Sequence, residues 1–113
     1  MGFYNNRRVN GSNARMTVFC PTTFDAGGAY GSGTMTELSS YGAQFTIKNE
    51  KELETILNGS EVSMHVKTPY GSSTLKGVLR WTSLYEDFVK CGVEFTRIPE
   101  DRNDPVRCMM ESW

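Results

Sequence analysis

Apolar and polar residues alternate along most of this chain, and that alternation predicts a series of short β-strands. Within residues 43–47, for example, Ala43, Phe45 and Ile47 share one face and polar side chains share the other. Pro21 has no backbone N–H to donate, so we expect it to end the first strand. Strands are predicted over residues 15–20, 34–37, 43–47, 62–67, 75–81 and 91–96.

Turn-forming residues separate the predicted strands. Residues 25–33 contain four glycines but lack the G-K-[S/T] ending and the following helix of a phosphate-binding loop, so we expect a long hairpin connection there. Residues 39–42 and 69–73 have the composition of tight turns. Short strands joined by turns predict a mainly β chain that folds as an antiparallel barrel or sandwich.

Two short helices are expected to interrupt this pattern. Asn49 can cap the first, the apolar residues that follow have helical spacing, and Gly59 stands where the helix should stop. Asp104 and Pro105 suit the N-cap and the first turn of a second helix, which we expect to run from about residue 104 to the C-terminus.

The length of 113 residues corresponds to one domain. No segment approaches the roughly 20 consecutive apolar residues that would span a bilayer, so membrane insertion is not expected. The basic N-terminus is not followed by the apolar stretch of a secretory signal, which predicts a cytoplasmic protein.

Residues that typically carry catalysis or bind metals are sparse in this sequence. Cys20, Cys91 and Cys108 are odd in number and form no C-x-x-C pair, so we expect reduced thiols and no zinc site. His65 is the one histidine, and no G-x-S-x-G segment is present. The sequence therefore predicts a protein that is not an enzyme and that needs no cofactor.

Positive charge is concentrated at the beginning of the chain. The net charge is −1, which argues against DNA binding, yet Arg7, Arg8 and Arg15 all precede the first acidic residue, Asp25. Residues 1–14 are also rich in asparagine and glycine. We therefore expect a flexible basic arm over residues 1–14, followed by one domain over residues 15–113. Such an arm is either a solvated leader or a segment that binds an anion.

The basic arm and residues 37–42 together carry a resemblance to a known family. The arm ends at Arg15, and residues 37–42 read E-L-S-S-Y-G. This order resembles the PilZ family, which has an R-x-x-x-R arm before its first barrel strand and [D/N]-x-S-x-x-G between the second and third strands. Residues 76–81 and 91–95 are similar to its late strands, so the resemblance extends from Arg7 to about Ile98.

The resemblance implies a small six-stranded antiparallel β-barrel of the split or Greek-key type. It also implies a bacterial signalling role as a receptor or adaptor domain, in which binding of cyclic di-GMP alters the interaction with a protein partner. Arginine suits this ligand because its guanidinium can stack on a guanine or bond the guanine O6 and N7 atoms together. The implied ligand-binding residues are Arg7, Arg8, Arg15, Glu37, Ser39 and Gly42.

Both motifs depart from the family pattern. Gly11 stands four residues before Arg15, where the family has arginine, and Arg8 stands seven residues before it. Glu37 replaces Asp or Asn and places its carboxylate one methylene further from the backbone. These departures leave a second hypothesis open, in which a degenerate PilZ-like domain has lost the nucleotide and serves as a protein-interaction module.

Two residues of the fifth predicted strand have alternative interpretations. Trp81 alternates with Leu75 and Leu79, so we expect it to pack in the core rather than to offer a stacking face to a guanine. Arg80 points to the opposite face, where solvation is expected rather than a contribution to ligand binding.

Overall fold

The computed structural model describes residues 15–26, 29–48 and 61–111. The predicted basic arm and the predicted internal helix lie outside these residues. Six strands and one helix form in the described part of the chain. They are β1 (Met16–Ala26), β2 (Ala29–Leu38), β3 (Gly42–Ile47), β4 (Glu61–Thr68), β5 (Gly71–Leu84), β6 (Val89–Arg97) and α1 (Pro105–Glu111).

The strands form a closed antiparallel barrel in the order β1-β2-β3-β6-β5-β4, which confirms the predicted fold class. Pairing of Thr22–Asp25 of β1 with residues 63–66 of β4 closes the barrel between the first and the fourth strand. The last strand, β6, lies between β3 and β5 and pairs with both of them. It therefore joins the first half of the chain to the second.

The alternation of apolar and polar residues places one face of each strand inside the barrel. Phe24 and Phe45 meet there edge to face, with ring centroids 5.1 Å apart. Burial of such side chains stabilises the fold by roughly 1.5–3 kcal/mol each. The core side chains of the barrel are Cys20, Phe24, Met35, Leu38, Ala43, Phe45, Ile47, Val62, Met64, Val66, Leu75, Leu79, Val89, Cys91 and Val93.

The prediction that Pro21 ends the first strand was wrong, because β1 continues to Ala26. Pro21 pairs with Thr34 of β2, whereas pairing with β4 begins only at Thr22. Pro21 therefore lies where β1 has a single neighbouring strand. A proline is tolerated at such an edge position, since no second ladder needs its missing N–H.

The connection between β1 and β2 is shorter than the glycine-rich composition of residues 25–33 suggested. Ala26 pairs with Ala29, so the two strands extend well into residues 25–33, and the prediction of a long connection there was wrong. Gly31 and Gly33 lie within β2. A Cβ on Gly33 would lie 2.7 Å from the carbonyl oxygen of Thr46, so β3 approaches too closely there for a larger residue.

The prediction that Trp81 packs in the core was also wrong. Leu79 is buried, yet Trp81, two residues further along β5, is 41% exposed. The pairing of β5 with β6 shifts between these two residues. Such a bulge inserts an extra residue and turns the following side chain towards the other face of the strand.

The C-terminal helix begins at Pro105, and its prediction is confirmed. A carboxylate oxygen of Asp104 accepts a hydrogen bond from the backbone N–H of Val106 at 2.9 Å, as an N-cap residue does. Val106 and Met109 are buried and extend the core beyond the barrel. No helix in the described part of the chain has the length and apolar character needed to cross a membrane.

Candidate functional site

An open cleft of about 330 Å³ lies where the start of β1, the β2–β3 turn and the middle of β5 and β6 meet. Its walls combine charged, aromatic and small residues. The residues that line it are Arg15, Glu37, Leu38, Ser39, Tyr41, Gly42, Ala43, Gln44, Arg80, Trp81, Gly92, Val93 and Glu94. Among the residues that the structure describes, no cluster of His, Cys, Asp or Glu side chains is placed to hold a metal ion.

The turn between β2 and β3 is organised by the side chain of Ser39. Its hydroxyl oxygen accepts hydrogen bonds from the N–H groups of Tyr41 at 3.2 Å and Gly42 at 3.3 Å. The same hydroxyl donates to the carbonyl oxygen of Gly42 at 3.3 Å. That carbonyl also accepts the N–H of Ser39 at 2.9 Å. Ser39 therefore fixes the turn as a serine-type turn while its side chain borders the cleft.

Gly42 is required at the end of this turn because β6 passes very close to it. A Cβ at this position would overlap the carbonyl oxygen of Val93 and lie 3.3 Å from the Cα of Glu94. The left-handed backbone conformation that also favours glycine is recorded at Gly71 and not at Gly42. The close approach of two strands is thus the reason for this glycine.

Arg15 and Glu37 face each other at one side of the cleft. Met16 pairs with Leu38 and Thr17 with Glu37, so the β1–β2 ladder brings together residues that are 22 positions apart. The Arg15 Nη1 atom lies 3.4 Å from the Glu37 Oε1 atom, and the side chains are 67% and 36% exposed. An ion pair with this exposure and this separation stabilises the fold by less than about 1 kcal/mol.

A second ion pair lies on the strands at the opposite part of the cleft. Arg80 Nε donates to Glu94 Oε1 at 2.6 Å, and both side chains are more than half exposed. The register places β5 residue Val78 opposite Glu94, and the bulge that follows aligns Trp81 with Gly92. Arg80 therefore lies on the bulge itself and reaches a carboxylate of the neighbouring strand.

The indole of Trp81 lies against the backbone of Gly92, which has no side chain to displace it. A Cβ at Gly92 would overlap the Nε1, Cε2 and Cδ1 atoms of the Trp81 indole. The indole therefore occupies the space above the backbone of β6 that a larger residue would fill. Its exposed part contributes an aromatic surface to the cleft.

The charges that line the cleft balance. Two arginines and two glutamates border it, and each arginine is paired with one glutamate. The described residues thus give the cleft little net attraction for an anion. Arg7 and Arg8, the other two arginines named from the sequence, precede the first described residue by eight and seven positions.

Four of the six residues named from the sequence, Arg15, Glu37, Ser39 and Gly42, line the cleft together. The other two, Arg7 and Arg8, lie outside the described residues. Arg80, interpreted as a solvated residue, and Trp81, interpreted as a core residue, also line the cleft. The alternation of apolar and polar residues in the sequence does not indicate the bulge in β5 that places Arg80 and Trp81 at the cleft.

Comparisons with known proteins agree with this fold. Residues 7–111 match the family model described as the PilZ domain. A Bacillus subtilis structure described as the Inhibitor of motility (MotI/DgrA) is 11% identical, with a TM-score of 0.66 over 84% of this chain and 47% of that one. The Borreliella burgdorferi PlzA protein, solved in complex with c-di-GMP, is 12% identical, with a TM-score of 0.54 over 77% of this chain and 40% of that one.

These two structural likenesses concern the fold, because both identities are far below 25%. The chain spans less than half the length of either solved protein. No curated protein matches it.

Proposed function

Because the chain belongs to the PilZ domain family, we propose that it is a receptor domain that binds cyclic di-GMP in the cleft between β1, the β2–β3 turn and the bulge of β5. The observation that supports this most directly is the meeting of Arg15, Glu37, Ser39 and Gly42 in one cleft. The first and the last of these residues are 27 positions apart in the sequence. PlzA, which has a similar fold, was solved with this nucleotide bound.

The volume of the cleft favours a composite site. Sites for small molecules usually measure about 300–1,000 Å³, and this cleft, at about 330 Å³, lies at the lower end of that range. A dinucleotide with two guanines would fill it and extend beyond it. In the proposal, residues 1–14 form an arm that covers the protruding part, and Arg7 and Arg8 contact its phosphates and guanine edges.

The residues of the barrel have separate roles in the proposed site. Arg15 pairs with a phosphate or with the O6 and N7 atoms of a guanine. Glu37 accepts hydrogen bonds from guanine N1–H and N2–H. Ser39 can turn its O–H from the Gly42 carbonyl towards the ligand at small cost, because that carbonyl keeps the N–H of Ser39 at 2.9 Å. Gly42 allows the turn to approach β6 closely, because a Cβ at this position would overlap the carbonyl oxygen of Val93.

Binding is proposed to act as a switch rather than to begin a reaction. Ordering of the arm against the barrel changes the surface that a protein partner meets, and a ligand shifts such an equilibrium by its differential affinity for the two states. The domain would thus couple a cytoplasmic nucleotide signal to a protein interaction.

The Arg15–Glu37 pair favours one alternative function. Glu37 stands where the family has Asp or Asn, and its carboxylate already engages the arginine of the arm motif. If that pair persists in the presence of the nucleotide, the domain is a PilZ-like interaction module that does not bind the ligand.

A thermal-shift titration with cyclic di-GMP distinguishes the two functions. At a concentration 100-fold above Kd, a ligand stabilises a protein by about 2.7 kcal/mol. For a domain of this size, Tm should then rise by roughly 10 °C. Arg15→Ala and Arg8→Ala should each reduce the rise, because each removes a phosphate or guanine contact.

Arg102→Ala is the matched control, since Arg102 is exposed in the connection between β6 and α1 and does not line the cleft. Its Tm rise should equal that of the wild type. An unchanged Tm of the wild type in high-micromolar ligand would favour the interaction module. Equal losses in all three variants would indicate that the arginines of the site were wrongly chosen.

A further inference from the structure

We propose that the outer face of β4 and β5, together with the end of β6, is a docking surface for an extended acidic segment of a protein partner. None of its residues lines the cleft, so the inference goes beyond the proposed nucleotide site. The face is formed by exposed or half-buried polar residues that alternate with core residues along the strands. These residues, called the basic face below, are Ser63, His65, Lys67, Ser72, Thr74, Lys76 and Arg97.

The strand register arranges the basic face in three rows. The middle row contains His65 and Thr74, and the His65 Nδ1 atom lies 3.0 Å from the Thr74 hydroxyl oxygen. Lys67 belongs to the row on one side, and Lys76 and Arg97 share the row on the other side. Because neighbouring rows are about 7 Å apart, Lys67 and Lys76 are separated by roughly 14 Å along the face.

The positive charges of the basic face have no carboxylate partner within it. The two ion pairs among the described residues lie at the cleft, and neither of them includes Lys67, Lys76 or Arg97. Lys76 and Arg97 stand directly opposite each other in the β5–β6 ladder, and like charges in this arrangement destabilise a sheet. The fold thus maintains a local concentration of positive charge that an acidic partner would neutralise.

The nearest carboxylates lie at the border of the basic face. Glu61 lies one row beyond Lys76 and already accepts a hydrogen bond from a threonine hydroxyl at 2.7 Å. Asp25 of β1 lies two strands from Lys76, which is about 10 Å. The charge of Glu94 is balanced by its pair with Arg80. With three permanent cations against two carboxylates at its border, the face is positive in a chain whose net charge is −1.

The spacing of the basic face matches an extended acidic segment. In an extended chain, alternate side chains point to the same side and are about 7 Å apart, which is also the spacing of the rows. Acidic side chains four positions apart would therefore meet Lys67 and Lys76, and the one between them would meet the row of His65 and Thr74. A carboxylate forms its stronger hydrogen bonds with charged donors of this kind.

An anionic membrane and a nucleic acid fit this surface less well. Surfaces that bind membranes usually combine basic residues with apolar side chains that insert, whereas every residue of the basic face is polar. Proteins that bind single-stranded nucleic acid add aromatic side chains on which bases stack, and the basic face contains no Phe, Tyr or Trp. The charge and the spacing therefore favour an acidic segment of a protein.

An NMR titration of the ¹⁵N-labelled protein at low ionic strength tests the proposal. The probe is a synthetic peptide of alternating glutamate and serine, added to millimolar concentration. Amide shifts should change mainly in β4, in the first half of β5 and around Arg97, and high salt should suppress the changes because it screens the charges. The same peptide with glutamine in place of glutamate should cause no such changes. Equal effects of the two peptides, or shifts spread over the whole barrel, would overturn the proposal.

The double variant Lys76→Gln/Arg97→Gln should weaken peptide binding by roughly two- to thirtyfold, because it removes two exposed charge contacts. Its Tm should not fall, since the substitutions also remove two like charges that face each other. Lys48→Gln/Lys90→Gln is the matched control, with the same change of net charge at the end of β3 and the start of β6. The control should change affinity less than twofold. Equal losses in both double variants would mean that net charge decides binding, and the docking surface would be refuted.

Sedimentation with vesicles of phosphatidylserine and phosphatidylcholine separates a protein partner from a membrane. The wild type should remain in the supernatant. Sedimentation with the vesicles that is lost in Lys76→Gln/Arg97→Gln, combined with no response to the peptide, would overturn the proposal in favour of a lipid surface. Neither experiment contains cyclic di-GMP, so failure of the docking surface and failure of the nucleotide site are observed separately.

Discussion

At the scale of single residues, the cleft places carboxylates beside its arginines. The Arg80–Glu94 contact of 2.6 Å is short, but both partners are more than half exposed, so solvent screens the pair. A negatively charged ligand therefore competes with Glu94 for the guanidinium of Arg80. In the proposed site, this carboxylate lowers affinity for the nucleotide.

Glu94→Gln should consequently raise the affinity for cyclic di-GMP by up to about fivefold, since an exposed pair of charges is worth roughly 0.2–1 kcal/mol. The gain should diminish at high salt, where charges are screened. Titrations at low and high ionic strength measure both effects. Glu100→Gln removes the same charge from an exposed residue that does not line the cleft, and it should change affinity much less. Weaker binding by Glu94→Gln would mean that Glu94 contacts the ligand directly.

Residue patterns in the sequence predicted part of the site, and the remaining contacts became apparent only from the pairing of the strands in the structure. The alternation in β3 predicted that Ala43, Phe45 and Ile47 share one face, and all three are buried in the core. Arg15 and Glu37 were identified by resemblance, because no local pattern indicates that residues 22 positions apart will pair across two strands. Trp81 was misinterpreted, since a bulge depends on the register between strands, which the sequence of one strand does not contain.

At the scale of elements, α1 is joined to the barrel by a small polar network. The Ser73 hydroxyl lies 2.9 and 2.7 Å from the two carboxylate oxygens of Asp104, and Asp104 also caps the helix at Val106. Ser73 is 6% exposed, so its hydroxyl depends on this partner. The sequence predicted the cap because Asp104 and Pro105 are adjacent, but the contact with β5 spans 31 positions and has no local signal.

Asp104→Ala should lower the free energy of unfolding by about 1–3 kcal/mol, because it removes the N-cap and leaves a buried hydroxyl without its acceptor. Urea denaturation measures this loss. The double variant Ser73→Ala/Asp104→Ala should lose less stability than the sum of the losses in the two single variants, since both substitutions remove the same contact. Asn103→Ala, an exposed change in the same connection, should cost less than about 0.5 kcal/mol. Full additivity of the two losses would contradict the network.

At the scale of the whole molecule, closure of the barrel removes two cysteines from solvent. Cys20 and Cys91 are buried, whereas Cys108 on α1 is half-buried, and all three are free thiols. Burial raises the pKa of Cys91 from its ordinary value of 9.0 to about 12, against a smaller lowering by a backbone hydrogen bond from Phe45. Burial also raises the pKa of Cys20. The folded barrel thus favours the neutral thiols.

The raised pKa of Cys91 makes stability depend on alkaline pH. Below about pH 9, the thiol is neutral in both states, so its contribution to stability is fully present. Between pH 9 and about 12, the unfolded chain releases a proton that the folded chain retains, so stability falls as pH rises. The limiting slope is about 1.4 kcal/mol per pH unit.

Urea denaturation between pH 8 and 10.5 should show this fall in the wild type and a shallower one in Cys91→Ala. The variant has no thiol to ionise in the core, whatever its own stability. Cys108→Ala should retain the wild-type slope, because Cys108 is not enclosed by the barrel. Identical slopes in all three proteins would mean that Cys91 ionises as readily in the folded barrel as in the unfolded chain.

The position of Arg15 at the rim of the cleft has a consequence for the residues before it. Arg8 is seven residues earlier, and seven residues can extend over at most about 25 Å. Any ligand in the cleft therefore meets Arg7 and Arg8 at a local concentration fixed by this short tether, which is typically millimolar. In the proposed complex their contacts would be intramolecular, so guanidinium groups too weak to capture the nucleotide from solution would still slow its dissociation.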